Sequence, residues 1–307
     1  MVLEIIGENM EQIYLKAKDG YDLNLHIFAV TEAKAVVQIA HGMEEHQERY
    51  EDFISFLNKN GYSVVSADMR GHGQNAKELG FFSGKDGDKL LISDHKQICE
   101  FIKTRFAGLP VYLFAHSMGT IISRVVLQTY SQEYDKVILS GYPAYQSGAS
   151  FGVFLTDLIQ VFKGAKYKSK IIEKLGVGMF NNDIKNPRTD VDWVCANEET
   201  VDKYKDDPLC GVGFTISAFN DLFELVRQMN KTEAYKKVKE DLPVLLLAGE
   251  NDPCTKGAKG RENSRKTLEK AGFRNIVQTT YSLMRHEILN EKENQKVYQD
   301  IVDFFNN

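Results

Sequence analysis

The stretch that decides the fold is Val111-Tyr112-Leu113-Phe114-Ala115-His116-Ser117-Met118-Gly119. Its apolar, partly β-branched first half is typical of a buried strand, and the residues after Gly119 are typical of a helix. A serine at such a junction lies on a sharp, strained turn that exposes its Oγ at the top of a sheet. Small residues at positions 115 and 119 are needed because the strand and helix backbones nearly touch there. Ser117 is therefore the candidate nucleophile.

Two further groups follow in the order that a catalytic triad needs. Asp252 comes after the apolar run 244–248, and His286 comes after the predicted strand 275–279. Serine is a weak nucleophile at neutral pH, so a histidine must accept its proton and a carboxylate must orient that histidine. Each residue alone is ordinary for a loop. Together, in the order Ser, Asp, His and each just beyond a strand, they predict a catalytic triad.

The fourth element is His41-Gly42, directly after the predicted strand 35–40. Acyl transfer needs two N–H groups aimed at the oxygen that becomes negative. The residue after the nucleophile, Met118, supplies one of them, and the loop that follows the HG pair supplies the other. We therefore predict an oxyanion hole formed by the backbone N–H groups of Met43 and Met118.

Four motifs stand out along the chain: His41-Gly42-x-x-Glu45-His46-x-x-Arg49-Tyr50, Asp68-Met69-Arg70-Gly71-His72-Gly73, His116-Ser117-Met118-Gly119 and His286-Glu287-x-x-Asn290-Glu291. In these motifs the chain resembles the monoacylglycerol lipase and lysophospholipase branch of the α/β-hydrolases, a wider group that also includes serine aminopeptidase-like hydrolases. The segments 192–193 and 204–211 also resemble bacterial lysophospholipases. The sequence departs from the family pattern at Ala115, where Gly is usual, and at Met43-Glu44, where small residues are usual.

The resemblance implies roles for residues around the triad. Glu45 and Arg49 are expected either to bind the leaving-group alcohol or to form an ion pair that stabilises their loop. Phe151 and Phe154 are expected either to line an acyl pocket or to pack helices together. Trp193 is interpreted as a core residue of the middle segment.

Strands alternate with helical patterns along most of the chain, which predicts a mostly parallel central sheet flanked by helices. The alternation stops between Ser140 and Asp241, where aromatic residues recur at helical spacing. We therefore predict an α/β-hydrolase core over residues 1–142 and 233–307, and an inserted helical cap over residues 143–232. The predicted strands lie near 35–40, 62–67, 110–115, 136–140, 243–248 and 275–280, after a hairpin around Asp19-Gly20.

Composition excludes several classes of function. The chain has 307 residues and a formal charge of −5, without a basic patch that predicts nucleic-acid binding. It has no basic n-region followed by an apolar h-region at its start, and no run of about eighteen apolar residues. Its four cysteines are scattered and its histidines lack metal-ligand spacing. We expect a cytoplasmic protein without a metal or other cofactor.

These observations predict a serine hydrolase that cleaves a small-molecule ester through an acyl-enzyme. The expected substrate is a mono-acyl lipid (a monoacylglycerol or lysophospholipid) or a short- or medium-chain acyl ester. Two alternatives stay open: an aminopeptidase-like amide hydrolase, and a non-catalytic protein that binds a ligand. Membrane contact, through cap aromatics and Lys163, Lys166, Lys168 and Lys170, is expected to be at most peripheral. The oligomeric state stays undetermined.

Overall fold

The computed structural model describes residues 4–5 and 10–307, and within them nine strands form a single mixed sheet. The strands are β1 (Glu4–Ile5), β2 (Met10–Lys16), β3 (Asp22–Phe28), β4 (Ala35–Ala40), β5 (Tyr62–Ala67), β6 (Val111–His116), β7 (Lys136–Ser140), β8 (Val244–Gly249) and β9 (Ile276–Tyr281). Their order across the sheet is β1-β2-β3-β5-β4-β6-β7-β8-β9. The first three strands are antiparallel, β3 is antiparallel to β5, and all pairs from β5 to β9 are parallel.

Helices cover both faces of this sheet. They are α1 (Glu51–Lys59), α2 (Gly87–Arg105), α3 (Met118–Tyr130), α4 (Ala149–Lys163), α5 (Lys170–Gly176), α6 (Glu198–Asp206), α7 (Ile216–Met229), α8 (Gly257–Ala271) and α9 (Asn294–Asn306). Short 3-10 turns lie at Gln47–Tyr50, Ser131–Glu133, Phe180–Asp183, Thr232–Ala234, Pro253–Thr255 and Ile288–Asn290. Apolar residues of α1 and α9 form the core on one face, and those of α2, α3 and α8 form the core on the other.

The central parallel strands are buried along their whole length, as strands covered on both faces must be. All residues of β4, β5, β6 and β8 are buried. Gln38 is a polar residue within β4, and its amide is paired on both sides. Its Nε2 donates to the His95 carbonyl at 3.1 Å, and its Oε1 accepts from the Tyr134 hydroxyl at 2.9 Å. Pairing of this kind removes the cost of burying the amide.

The predicted fold class is confirmed, and the predicted strands 35–40, 62–67 and 136–140 agree with the structure to the residue. The other three predicted parallel strands each lie one residue later in the chain than predicted. They were predicted at 110–115, 243–248 and 275–280. The opening hairpin is longer than predicted, because β2 already begins at Met10, and the short strand β1 was not predicted. In the described part of the chain no strand lies between β7 and β8, as predicted, and this segment contains α4, α5, α6 and α7.

The segment between β7 and β8 is packed tightly onto the rest of the molecule through α7. Ile216, Phe219, Leu222 and Leu225 of this helix belong to the same apolar cluster as residues of α2 and α3. Helix α4 in turn packs against α7. Whether the segment 143–232 is a separate cap domain therefore stays a prediction.

We expect Phe114→Ala to destabilise the protein by about 3–5 kcal/mol, since it leaves a cavity in a packed core. Phe114 on β6 is fully buried, and its ring centroid lies 4.9 Å from that of Phe53 on α1. Urea unfolding measures this loss. The matched control is Phe162→Ala on α4, where the ring is 77% exposed and the expected change is within about 0.5 kcal/mol. Equal effects of the two variants would contradict the assigned core.

Candidate active site

Ser117 stands on the turn between β6 and α3 in a backbone conformation that L-residues rarely adopt. Its φ is 49° and its ψ is −118°. The turn is forced by close packing of α3 against the end of β4: a Cβ on Gly119 would clash with the Ala40 carbonyl oxygen and lie 2.6 Å from that of His41. Such strain persists only where the surrounding structure fixes it, and it is common at active sites. The turn leaves Ser117 partly exposed while its neighbours are buried.

The structure brings Ser117, His286 and Asp252 together in one hydrogen-bonded chain. His286 Nε2 lies 2.8 Å from Ser117 Oγ, and His286 Nδ1 lies 3.0 Å from Asp252 Oδ2. The other carboxylate oxygen, Oδ1, accepts a hydrogen bond of 2.8 Å from the Cys254 N–H. Asp252 and His286 are both buried. This arrangement orients the imidazole so that Nε2 can accept the serine proton.

The charges around His286 favour its protonated form. Burial by itself lowers the pKa of an imidazole, but the charge and hydrogen bond of Asp252 outweigh it and raise the pKa of His286. The neighbouring His116, whose ring centroid lies 4.7 Å away, behaves in the opposite way. Burial and the proximity of His286 lower the pKa of His116 to about 3, so it stays neutral.

The loop that carries Met43 approaches the serine closely. A Cβ on Gly42 would lie only 3.1 Å from the Ser117 Cβ. Two neutral histidines hold the loop: His41 Nε2 accepts from the Met69 N–H at 2.9 Å, and His72 Nε2 accepts from the Glu44 N–H at 3.2 Å. Met118 begins α3, where backbone N–H groups have no partner within the helix. These positions leave the N–H groups of Met43 and Met118 available as the oxyanion donors predicted above.

Glu45 and Arg49 form a buried ion-pair network with Glu287. An ion pair that stabilises the loop was one of the two roles expected for Glu45 and Arg49. Arg49 Nη1 donates to Glu45 Oε2 at 2.8 Å, and its two Nη atoms donate to both oxygens of Glu287 at 2.6 and 2.7 Å. Glu45 Oε1 also accepts from the Gly42 N–H and from the Tyr50 hydroxyl. The network thus joins the loop of Met43 to the residue after His286.

The pKa values of the two carboxyl groups in this network shift in opposite directions. Burial and the negative charge of Glu287 raise the pKa of Glu45, although Arg49 opposes the shift. Burial acts in the same direction on Glu287, but its paired hydrogen bonds with Arg49 outweigh burial and lower its pKa. The pKa of Arg49 is raised well above its usual value by the two carboxylates. Because these atoms already bind one another, they have little capacity left for a substrate.

Trp193 contacts the candidate base, which the sequence interpretation missed. Its ring centroid lies 5.2 Å from that of His286, and the ring of Phe180 packs against Trp193 with a centroid separation of 5.1 Å. Arg285 holds this segment in place, because its Nη1 donates to the carbonyls of Asp192 and Cys195. The only sequence signal was an aromatic residue within the segment 192–193, which does not reveal its partner.

Phe151 and Phe154 are 65% and 63% exposed on α4. The structure therefore encloses neither ring in a pocket with Ser117. They belong to an exposed apolar surface on α4 and α5, whose further members are Leu158, Val161, Phe162, Ile171 and Leu175. None of the helices in residues 4–5 and 10–307 is long and apolar enough to cross a membrane.

The order of strands, the turn at Ser117 and the sequence order of the three hydrogen-bonded residues define an α/β-hydrolase. The sequence profile described as serine aminopeptidase, S33, matches residues 31–293, and the chain belongs to this family.

Relatives and solved structures agree with this assignment. The chain is 25% identical over 282 residues to a monoacylglycerol lipase of Mycolicibacterium smegmatis, with 89% of each chain covered. It is 24% identical over 269 residues to phospholipase YtpA of Bacillus subtilis. This alignment covers 86% of this chain and 92% of the relative. A highly thermostable carboxyl esterase from Bacillus coagulans, solved in complex with glycerol, has the same fold. Its TM-score is 0.90 at 22% identity, and 98% of this chain and 99% of that chain are covered.

We expect Arg49→Met to destabilise the protein by about 3–5 kcal/mol, because it leaves two buried carboxylates without their cation. Urea unfolding at neutral pH measures the loss. The matched control is Arg188→Met, which removes an exposed pair with Asp202 and is expected to leave the urea midpoint almost unchanged, since solvent screens exposed ion pairs. A loss below about 1 kcal/mol for Arg49→Met would show that the network contributes little to folding.

Proposed function

We propose that this chain hydrolyses a carboxylic ester by a serine mechanism with Ser117 as nucleophile, His286 as base and Asp252 as its orienting carboxylate. The observation that carries the proposal is the continuous chain of contacts from Asp252 Oδ2 through both ring nitrogens of His286 to Ser117 Oγ. The coarser activity is secure: the chain is an ester hydrolase of the α/β-hydrolase fold.

In the first half of the reaction, Ser117 Oγ attacks the acyl carbonyl carbon while its proton passes to His286 Nε2. The carbonyl oxygen becomes negative and is stabilised by the N–H groups of Met43 and Met118. His286 then donates the proton to the leaving alcohol as the carbon–oxygen bond breaks, which leaves the acyl group on Ser117.

In the second half, a water molecule gives a proton to His286 Nε2 and attacks the acyl carbon. The second oxyanion forms in the same place as the first. Its collapse releases the carboxylic acid, and the proton on His286 returns to Ser117 Oγ. Asp252 orients the imidazole throughout and stabilises the imidazolium.

The proposed substrate is a mono-acyl lipid, or a short- or medium-chain acyl ester. Relatives named as a monoacylglycerol lipase and a phospholipase support an acyl-lipid substrate class. We further propose that the segment 143–232 acts as the cap over Ser117, with Trp193 forming the wall next to His286. Binding of the alcohol by Glu45 and Arg49 receives no support, since both side chains are occupied by the ion-pair network. Peripheral membrane contact stays a prediction.

An amide-cleaving alternative is favoured by one observation, the buried carboxyl of Glu44 beside Met43. Its Oε1 has no hydrogen-bond partner among the described residues. An α-amino group of a peptide substrate would require a carboxyl group of this kind as its partner. The family description, serine aminopeptidase, is consistent with such a reaction.

Ser117→Ala should reduce the hydrolysis of p-nitrophenyl esters by at least about 10³-fold, because the residual rate comes from the oxyanion hole and binding alone. We would measure the series from acetyl to palmitoyl esters, with a monoacylglycerol, a lysophospholipid and an aminoacyl anilide alongside. A Ser117-dependent optimum at medium or long chains supports a lipid substrate, and an optimum at the shortest chains supports a small-ester hydrolase.

The matched control for this substitution is Ser123→Ala on α3, the helix that follows Ser117. Ser123 is buried and its Oγ has no hydrogen-bond partner among the described residues, so wild-type activity is expected. Turnover confined to the aminoacyl anilide would favour the peptidase. Failure of every substrate, together with no labelling by a fluorophosphonate probe, would favour the ligand-binding alternative.

The acid limb of the kcat/KM profile should have its midpoint above pH 6.5. His286 must be neutral to act as a base, and Asp252 raises its pKa, so activity is lost as the pH falls through that raised value. Asp252→Asn should move the midpoint to lower pH, since it removes the charge that does most to raise the pKa of His286, and should lower kcat by about 10⁴-fold. Measuring the profile of both forms tests this.

Two other buried carboxyls titrate in the same range and serve as controls. Burial raises the pKa of Glu44 and of Asp221 to about 7. Glu44→Gln and Asp221→Asn should leave the midpoint of the acid limb in place. A midpoint that follows either of these residues, and not Asp252, would contradict the role assigned to His286.

A further inference from the structure

Three potential metal-binding side chains meet beside the loop that carries Met43. A ring nitrogen of His46, a carboxylate oxygen of Asp207 and the sulfur of Cys210 all lie within 4.8 Å of one another. His46 and Cys210 are buried, whereas the Asp207 side chain is 27% exposed. The cluster is therefore closed on the protein side and open to solvent on one side, as an ion-binding site requires.

Hydrogen bonds fix the positions of the His46 ring and of the Asp207 carboxylate. His46 Nε2 lies 2.8 Å from Asp207 Oδ2, and His46 Nδ1 is hydrogen-bonded to the carboxylate of Glu48. The second oxygen of Asp207, Oδ1, accepts from the Leu209 N–H at 2.8 Å, which directs Oδ2 toward the histidine. A histidine that binds a metal through one ring nitrogen and a carboxylate through the other is the usual outer-shell arrangement of zinc sites.

We propose that His46, Asp207 and Cys210 bind a zinc ion, with Glu48 orienting His46 and a water molecule in the fourth position. One nitrogen, one oxygen and one sulfur ligand match the borderline-soft character of Zn²⁺. Nitrogen and oxygen ligands of tetrahedral zinc lie about 3.3 Å apart, given bonds of about 2.0 Å. Opening the His46–Asp207 contact of 2.8 Å by about half an ångström brings these two ligand atoms to that separation.

The charges are suited to a divalent cation. Asp207 and Glu48 supply two negative charges, and zinc binding converts the Cys210 thiol into a third, the thiolate. Zinc takes the place of the proton between His46 and Asp207 and of the thiol proton, so binding is accompanied by proton release. Residues 46 and 207 are 161 positions apart, which explains why local ligand spacing predicted no metal.

An ion at this position would act on the oxyanion loop. The Gly211 N–H donates to the Glu44 carbonyl at 3.0 Å, and the Tyr204 hydroxyl donates to the same oxygen at 3.1 Å. The stretch 204–211 therefore already holds the residue next to Met43. Zinc would add a stronger link between the two segments, and this role does not depend on which ester the enzyme cleaves.

The test is titration of the metal-free, full-length protein with Co²⁺, a spectroscopic substitute for zinc. We expect a thiolate-to-cobalt charge-transfer band in the near ultraviolet and intense tetrahedral d–d bands that saturate at one ion per chain and are displaced by Zn²⁺. Cys210→Ser should abolish the charge-transfer band. The control is Cys254→Ser, which removes the thiol of the second group of potential ligands, Asp252, Cys254 and His286, and should leave the band unchanged.

Glu48→Gln and Asp207→Asn extend the test to variants that keep all thiols. Glu48→Gln should weaken cobalt binding by about 10–100-fold, as expected for loss of an outer-shell partner. Zinc should raise the thermal midpoint of the wild type and not that of Asp207→Asn, which also decides the question if Cys210→Ser fails to fold. The proposal is overturned if the folded wild type gives no charge-transfer band, if Cys210→Ser retains it, or if Cys254→Ser loses it.

Discussion

The buried guanidinium of Arg49 is the interaction on which the rest of the candidate site depends. A charge of this kind is tolerated inside a protein only when carboxylates surround it. Here one carboxylate, Glu45, comes from the loop beside Ser117, and the other, Glu287, directly follows His286. Neither loop can move away without leaving a buried charge unpaired. The ion pair therefore fixes the distance between two segments that are more than two hundred residues apart in sequence.

Within this frame, the histidines near the serine differ in charge although they share the same side chain. Burial lowers the pKa of His41, His72 and His116, so these three act as neutral hydrogen-bonding or packing groups. His286 is equally buried, yet its pKa is raised because it carries the charge interaction and the direct hydrogen bond with Asp252. A single carboxylate thus selects which imidazole can accept a proton, and the neutral rings around it add no competing positive charge.

Sequence patterns predicted the sheet and the convergence of Ser117, Asp252 and His286 because all three follow strands that end at the same edge of a parallel sheet. The ends of parallel strands are local features, and their meeting point follows from topology. Side-chain partners are not local. The sequence could not decide between an ion pair and a substrate contact for Arg49, since its partner Glu287 is distant in the chain. Nor could it place Trp193 against His286, or predict β1, which has only two residues. The exposure of Phe151 shows the same limit, because helical periodicity identifies an apolar face without saying what covers it.

The packing of α7 has a consequence for how proteins of this architecture can diverge. Its apolar side chains are part of the same cluster as α2 and α3, and Tyr204 and Gly211 bind the carbonyl of Glu44. Recombination that exchanged the whole segment between β7 and β8 would expose the apolar core around α2 and α3. It would also remove the hydrogen bonds that hold the loop of Met43. Helices α4 and α5 carry most of the exposed apolar residues. Point substitutions are thus easiest to accumulate on these outer helices, where they change the surface without disturbing the core, while α7 is retained as part of the scaffold.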